Sequence, residues 1–177
     1  MRKVMSVALG LCIVLTAVTA VRAESEKRAS PHEKVSAVIG GKKVTIDYGR
    51  PSKKGRVIFG ELVPLKEVWR TGADEATTLT TDGDLTIGGL KVPKGTYALF
   101  TIPAEKEWTL VINKVSKQWG AFKYDQKQDL GRVPMKVAES PAPVEMFTIA
   151  VEAQPPKAGT LKISWDKTVA SVAITAP

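Results

Sequence analysis

The sequence predicts an all-β domain, mainly antiparallel, built as a single β-sandwich or barrel-like fold with two long loops and at most a short helix. Two observations carry this prediction. Short segments of alternating apolar and polar residues recur along the chain, and turns rich in glycine and proline separate them at the spacing typical of sandwiches and barrels. The chain also has no helical period long enough for a crossover between parallel strands.

The first two predicted strands form a hairpin. Residues 35–39 alternate between apolar and polar side chains, Gly40 and Gly41 follow, and residues 44–48 alternate again. Two glycines between alternating segments are typical of a two-residue hairpin turn, because both positions require a positive φ. In the second of these strands Asp47 falls on the face opposite the apolar residues.

Further strands follow at short intervals, and roughly nine or ten are expected in all. Residues 96–102 carry apolar side chains on both faces, which predicts a central strand. Trp108 and Trp165 lie on apolar stripes and are predicted core residues. The only helix expected is one or two turns around residues 60–68. The other predicted strands cover residues 76–81, 85–87, 108–112, 144–151, 161–165 and 169–174.

Two long connections interrupt this pattern, residues 49–74 and residues 114–133. Connections of this length are uncommon in a compact domain and are often functional or disordered. The second contains a tryptophan, a phenylalanine and a tyrosine, which disorder would not be expected to carry. We therefore expect both loops to pack on the domain, either as lids over a pocket or as structural flaps.

Residues 1–23 have the order of a secretory signal peptide. A short basic start precedes an apolar run, and small residues allow cleavage after Ala20 or Ala23. The run is short for a transmembrane anchor, and Leu11 before Cys12 does not suit a lipid-attachment signal. The predicted organisation is a signal peptide (1–23), a polar leader (24–33) and one β domain (34–177). We expect an exported protein, periplasmic or secreted, with no stable membrane insertion after cleavage.

Composition narrows the possible chemistry. Cleavage removes Arg2, Lys3 and Arg22, so that 23 basic residues remain against 18 acidic ones, a net charge of +5. It also removes Cys12, the only cysteine, which leaves no disulfide, thiol nucleophile or cysteine-bound metal. No basic run exceeds two residues, which speaks against a nucleic-acid partner. The oligomeric state stays open.

Four segments resemble a known family. They are residues 29–64, which contain IDYGRP, residues 68–103, which begin VWRTGAD, and residues 107–120 and 124–137. Over residues 30 to about 175 the chain is similar to exported bacterial proteins catalogued as domain of unknown function 2911. The resemblance implies a β-rich, exported single-domain protein and no established catalytic residue, cofactor or substrate. Similar proteins tend to have Asn where this chain has Asp74, which weakens a mechanism that needs a carboxylate there.

A hydrolase-like site is one functional hypothesis. His32 is the only histidine, and imidazole is the side chain suited to proton transfer near neutral pH. In this hypothesis His32 is a general base, with Asp47 or Glu75 orienting it. The alternative is a solvated histidine at the mouth of the first strand. No HExxH, paired-histidine or EF-hand spacing is present, so neither a metal nor a cofactor is expected.

The favoured hypothesis is a binding module without catalysis. Arg50 stands between a glycine and a proline, and Arg70 lies in the WRTG segment. A guanidinium is a planar, bidentate donor suited to carboxylate or phosphate. Trp119 could stack on a ligand or anchor its loop. The expected partner is a small anionic ligand, a cell-envelope polymer or another protein. The alternatives are an Arg50 that binds loop carbonyls and an Arg70 paired with a nearby glutamate.

Overall fold

The computed structural model describes residues 28–177, which form one antiparallel sheet of nine strands. The prediction of a mainly antiparallel all-β fold is confirmed, and the sheet is not closed into a barrel. The strands are β1 His32–Ile39, β2 Lys42–Gly49, β3 Thr77–Thr81, β4 Leu85–Ile87, β5 Leu90–Val92, β6 Gly95–Ile102, β7 Glu107–Asn113, β8 Asp129–Gln154 and β9 Ala158–Thr175. Their order across the sheet is β1-β2-β3-β6-β7-β8-β9-β4-β5.

The predicted signal peptide and residues 24–27 of the predicted leader lie outside the described residues. β1 begins at His32, two positions before the predicted start of the domain. Within residues 28–177, no helix is long and apolar enough to span a membrane.

The β1–β2 hairpin forms as predicted. Ile39 pairs with Lys42, and Gly40 and Gly41 between them have φ values of +55° and +77°. The apolar residues of β2 are buried, while Asp47 on the opposite face is only half-buried. The hairpin places the first residue of β1 beside the last residue of β2, because His32 is opposite Gly49.

β8 and β9 form a long hairpin that folds back over the start of the sheet. The register of β8 shifts between Glu139 and Val144 and again before Thr148, which bends the strand. Its first part pairs with β7, and its last part packs against β1. The sequence prediction missed residues 134–143 as strand, and it divided β9 into two strands.

The prediction of a short helix around residues 60–68 is wrong. This segment forms turns, closed by hydrogen bonds from Gly60 N to Val63 O and from Val63 N to Ile58 O. Pro64 interrupts the segment, and Lys66 has a φ of +64°, which a right-handed helix cannot contain. The helical turn within the described residues is a 3-10 turn at Gln126–Gln128.

Both long loops pack on the domain, as expected, although the second is shorter than predicted because β8 already begins at Asp129. The loop of residues 50–76 is tied to the sheet by Trp69, whose backbone pairs with Thr101. The loop of residues 114–125 is tied to the first loop through an isolated bridge between Glu75 and Trp119.

An aromatic cluster joins the first loop to the core. Trp69 stacks on Trp165 with ring centroids 6.1 Å apart, and it makes edge contacts with Phe59, Trp108 and Phe147. Trp108 and Trp165 are buried, which confirms their prediction as core residues. The cluster therefore fixes the part of the first loop around Trp69 against the core.

All three tyrosines are expected to resist ionisation at pH 10. Burial, together with the hydrogen bond to Glu33, raises the pKa of Tyr48 to about 12. Burial and the hydrogen bond to Asp129 raise the pKa of Tyr124 to about 12, and burial also raises that of Tyr97. Because the folded state then keeps protons that the unfolded state loses, stability falls as pH rises from 10 towards 12. A titration of the folded protein that follows phenolate absorbance checks this. An absorbance rise near pH 10 that corresponds to ionisation of all three tyrosines would contradict it.

Candidate functional site

Two of the four segments that carry the family resemblance, IDYGRP and WRTGAD, meet backbone to backbone. A Cβ placed on Gly49 would lie 2.3 Å from the carbonyl oxygen of Ala73, and one on Gly72 would lie 2.8 Å from the carbonyl oxygen of Gly49. Gly72 also has a φ of +150°. Only residues without a side chain permit this approach, which brings the end of β2 against the turn that precedes Asp74 and Glu75.

Residues 28–31, here called the N-terminal strap, are held at this crossing. The Asp74 carboxylate accepts hydrogen bonds from the backbone N–H groups of Ala29 and Ser30, at 3.0 and 3.1 Å. Pro31 O accepts one from Arg50 N at 2.7 Å. Asp74 has a φ of +61°, which aspartate and asparagine tolerate better than most residues. Its role in the structure is therefore to anchor the strap.

On one side of the strap lies a pocket of about 530 Å³, the histidine pocket, lined by His32, Asp47, Glu75, Trp119 and Arg28 among others. The structure thus brings together the three residues predicted as catalytic, and Trp119 joins them. Arg28 was missed, since nothing in a polar leader distinguishes one arginine. Its guanidinium lies 2.8 Å from a Glu75 oxygen and closes one side of the pocket.

Carboxylates face both ring nitrogens of His32. Asp47 lies 3.8 Å from Nδ1, while Glu75 and Asp74 lie 3.1 and 3.8 Å from Nε2. The Glu75 oxygen is off the N–H axis, so the buried Nε2 has an electrostatic contact without an aligned hydrogen bond. No ring nitrogen is left to face a substrate alone.

Glu75, one of the three acids of this cluster, stays ionised at neutral pH. Partial burial opposes the charged form of Glu75, but the hydrogen bond from Arg28, a backbone hydrogen bond and the charges of Arg28 and His32 outweigh it and lower the pKa of the carboxyl. No group of three or more histidine or acidic side chains in the described part of the chain has the geometry to hold a metal ion.

Arg50 lies in neither pocket. Its guanidinium contacts Glu33 at 2.7 Å, the carbonyl oxygen of Phe147 at 3.1 Å and the hydroxyl of Thr148 at 3.0 Å. These contacts tie the end of β2 to the second part of β8. Arg50 therefore has a structural role, as the alternative for this residue proposed, although the carbonyl that it binds belongs to β8 and not to a loop.

On the other side of the strap lies a pocket of about 490 Å³, the arginine pocket, lined by Arg70, Arg56, Lys54, Trp69 and Leu62 among others. Lys54 and Arg56 were missed as site residues, although the basic composition of their loop was the available signal. Trp69 and Trp165 add apolar surface to the wall.

Arg70 is the unusual member of this pocket. Its side chain makes no hydrogen bond or ion pair with any of residues 28–177, and its Nε is buried without a partner. The alternative considered for Arg70, a pair with a nearby glutamate, does not occur, because Glu75 pairs with Arg28. Gly120 of the second loop lies beside the guanidinium, since a Cβ there would be 3.7 Å from Arg70 Nη1. A buried polar group normally has a partner, so the pocket offers unused donors.

Comparison with known proteins agrees with the resemblance seen in the sequence. No curated protein and no solved structure matches the chain. A family described as "Protein of unknown function (DUF2911)" matches residues 30–174, which include all nine strands except the last residue of β9, and both pockets except Arg28 and Ala29. The chain belongs to this family of proteins of unknown function.

Proposed function

We propose that this chain is an exported binding protein for a small anionic ligand, a carboxylate or phosphate, held in the arginine pocket. The observation that carries the proposal is the unpartnered guanidinium of Arg70 in a concave site. An arginine offers two parallel N–H donors to a carboxylate or phosphate, and such charge-assisted bonds are among the strongest in proteins. Export is supported by the signal-like residues 1–23.

The surroundings of Arg70 favour an anion. Lys54 and Arg56 add positive charge to the pocket. Arg56 donates hydrogen bonds from Nε and from one terminal nitrogen to carbonyl oxygens of its own loop, Lys53 O and Ser52 O. Asp74 is the acid that lines this pocket, and the strap occupies its two oxygens. The local field therefore attracts negative charge.

The size and the walls of the pocket describe the rest of the ligand. A volume of about 490 Å³ falls within the range of small-molecule sites. A bare anion would leave most of it to water, while Trp69 and Trp165 provide apolar contact. A ligand with one anionic group and an apolar or planar part fits better than an inorganic ion.

The alternative is a hydrolase-like enzyme with His32 as base. It is favoured by the meeting of His32, Asp47 and Glu75 in one pocket. Against it stands the arrangement of the ring, since each nitrogen of His32 faces at least one carboxylate. An envelope polymer or a protein partner would also use exposed arginines, but neither explains a buried, unpartnered Nε as directly.

Thermal unfolding with and without anions tests the proposal. The probes are inorganic phosphate and benzoate, at ionic strength matched with sodium chloride. A ligand at about 100 times its Kd stabilises the folded state by about 2.7 kcal/mol, a rise in Tm of roughly 5–10 °C for this size of domain. We expect this rise in the natural protein and its loss in Arg70→Gln, whose folding is checked by circular dichroism.

Two variants separate the pockets. Lys106→Gln removes an exposed positive charge outside both pockets, and His32→Gln changes the histidine pocket. Both are expected to keep the anion-dependent rise in Tm, measured from each variant's own starting value. If Arg70→Gln keeps the full rise, or if His32→Gln alone loses it, the arginine pocket is not the binding site.

A further inference from the structure

Large apolar side chains are exposed mainly on the two long loops. Five such residues are exposed in the described part of the chain, and four of them belong to these loops: Val57, Leu62, Val115 and Phe122. The fifth, Val38, lies on β1. Phe122 is the most exposed of the five, at 84%. Exposed apolar residues that lie together indicate an interaction surface more strongly than single ones do.

Leu62 and Phe122 lie beside the arginine pocket. Leu62 lines the pocket, and Leu62 N donates to Val57 O, which keeps these two residues together. Phe122 packs beside Gly120, where a Cβ would lie 3.1 Å from its ring and 3.7 Å from Arg70 Nη1. The pocket with the unpartnered guanidinium is therefore flanked by apolar tips from both loops.

The same loops carry most of the net positive charge of the described residues. Residues 50–76 contain six basic and four acidic residues. Residues 114–128, the second loop with the 3-10 turn that follows it, contain four basic and one acidic. Together they have a net charge of +5, while all of residues 28–177, with 22 basic and 16 acidic residues, have +6. Two of these cations, Arg50 and Lys53, pair with Glu33 and Asp166 outside the loops. The remaining positive charge lies on the same loops as the exposed apolar residues.

We infer that the anion bound in the arginine pocket is the head group of an anionic lipid, and that the loops dock the protein on an anionic bilayer. The inference rests on the proposed function. Arg70 takes the phosphate, Phe122 and Leu62 enter the boundary between head groups and acyl chains, and the surrounding lysines and arginines face the charged surface. A soluble anion would fill the pocket but would leave these apolar tips in water.

Vesicle sedimentation tests the inference. The protein is purified after export, with its N-terminus checked by mass spectrometry, and is mixed with vesicles of phosphatidylcholine alone or of phosphatidylcholine with phosphatidylglycerol. We expect binding to the anionic vesicles only, with a strong decrease at high salt. The double variant Leu62→Ser with Phe122→Ser should bind more weakly by a factor of roughly ten or more, because two apolar side chains no longer insert.

Val38→Ser is the matched control, because it removes an exposed apolar side chain outside the loops. It should bind as the natural protein does, while Arg70→Gln should bind more weakly. Equal binding to neutral vesicles, no binding to either kind, or full binding by Arg70→Gln would overturn the inference. Self-association without vesicles, abolished by the double variant, would also overturn it, since a second copy would then cover the loops.

The two proposals can fail separately. A phosphate-dependent rise in Tm that requires Arg70, found together with no vesicle binding, overturns the lipid inference and leaves the anion pocket in place. If the natural protein shows neither an anion-dependent rise in Tm nor vesicle binding, both the proposed function and the inference that rests on it are wrong.

Discussion

Gly49→Ala is expected to destabilise the protein by about 3 kcal/mol and to lower its Tm by roughly 10 °C. The added Cβ would lie 2.3 Å from the carbonyl oxygen of Ala73 and 2.9 Å from its carbonyl carbon. Both are backbone atoms, so no flexible side chain can move aside. The end of β2 and the turn before Asp74 would have to separate. Chemical denaturation, with the midpoint and slope fitted together, measures the loss.

Gly41→Ala is the control for this prediction. Gly41 has a φ of +77° but nothing within 4 Å of its added Cβ, so the substitution costs only backbone strain, about 1 kcal/mol. If both variants lose the same stability, the crossing at Gly49 is not close-packed as described. Since the strap and Asp74 depend on that crossing, Gly49→Ala should also weaken anion binding at Arg70.

Trp69→Ala is expected to cost about 3–5 kcal/mol. The Trp69 ring contacts four other aromatic rings, and its removal leaves a cavity that rigid neighbours cannot fill. Its backbone would still pair with Thr101, so the loss reflects side-chain packing and not a changed register. The loop of residues 50–68 should then be cut faster by proteases in the folded state.

The comparison for this variant is Trp119→Ala. Trp119 is a half-buried ring on the histidine pocket and lies outside the cluster around Trp69. Its loss should cost about 1 kcal/mol, as is usual for positions outside the core. Equal destabilisation by the two variants would mean that the aromatic cluster does not anchor the first loop.

Much of the first half of the fold could be predicted from the sequence. The β1–β2 hairpin, β3, β4, β6 and β7 follow from alternation and turn residues, which are local signals. The three-residue strand β5 was not predicted. β8 could not be predicted in full, since Pro134, Pro141 and Pro143 lower strand propensity. The strand accommodates Pro134 opposite Thr109, and its register shifts around the other two.

The candidate site was predictable only in part. His32 and Asp47 lie on one face of a two-residue hairpin, so their approach follows from its register. Glu75 comes from a loop whose position depends on the Gly49 crossing, which no local pattern reveals. The partners of the arginines are equally non-local, because Arg50 meets Glu33 and β8 while Arg70 meets no described acceptor.

The place of the last strand bears on the order of folding. β4 and β5 pair with each other, and they join the sheet only through β9, by the pairs of Thr86 with Thr175 and of Ile87 with Ile174. These partners lie within the final four residues of the chain. The sheet therefore cannot be completed before residues 174 and 175 have paired with residues 86 and 87, about 90 positions earlier in the chain. Contacts so distant in sequence form slowly, so the β4–β5 hairpin is expected to join the sheet late in folding.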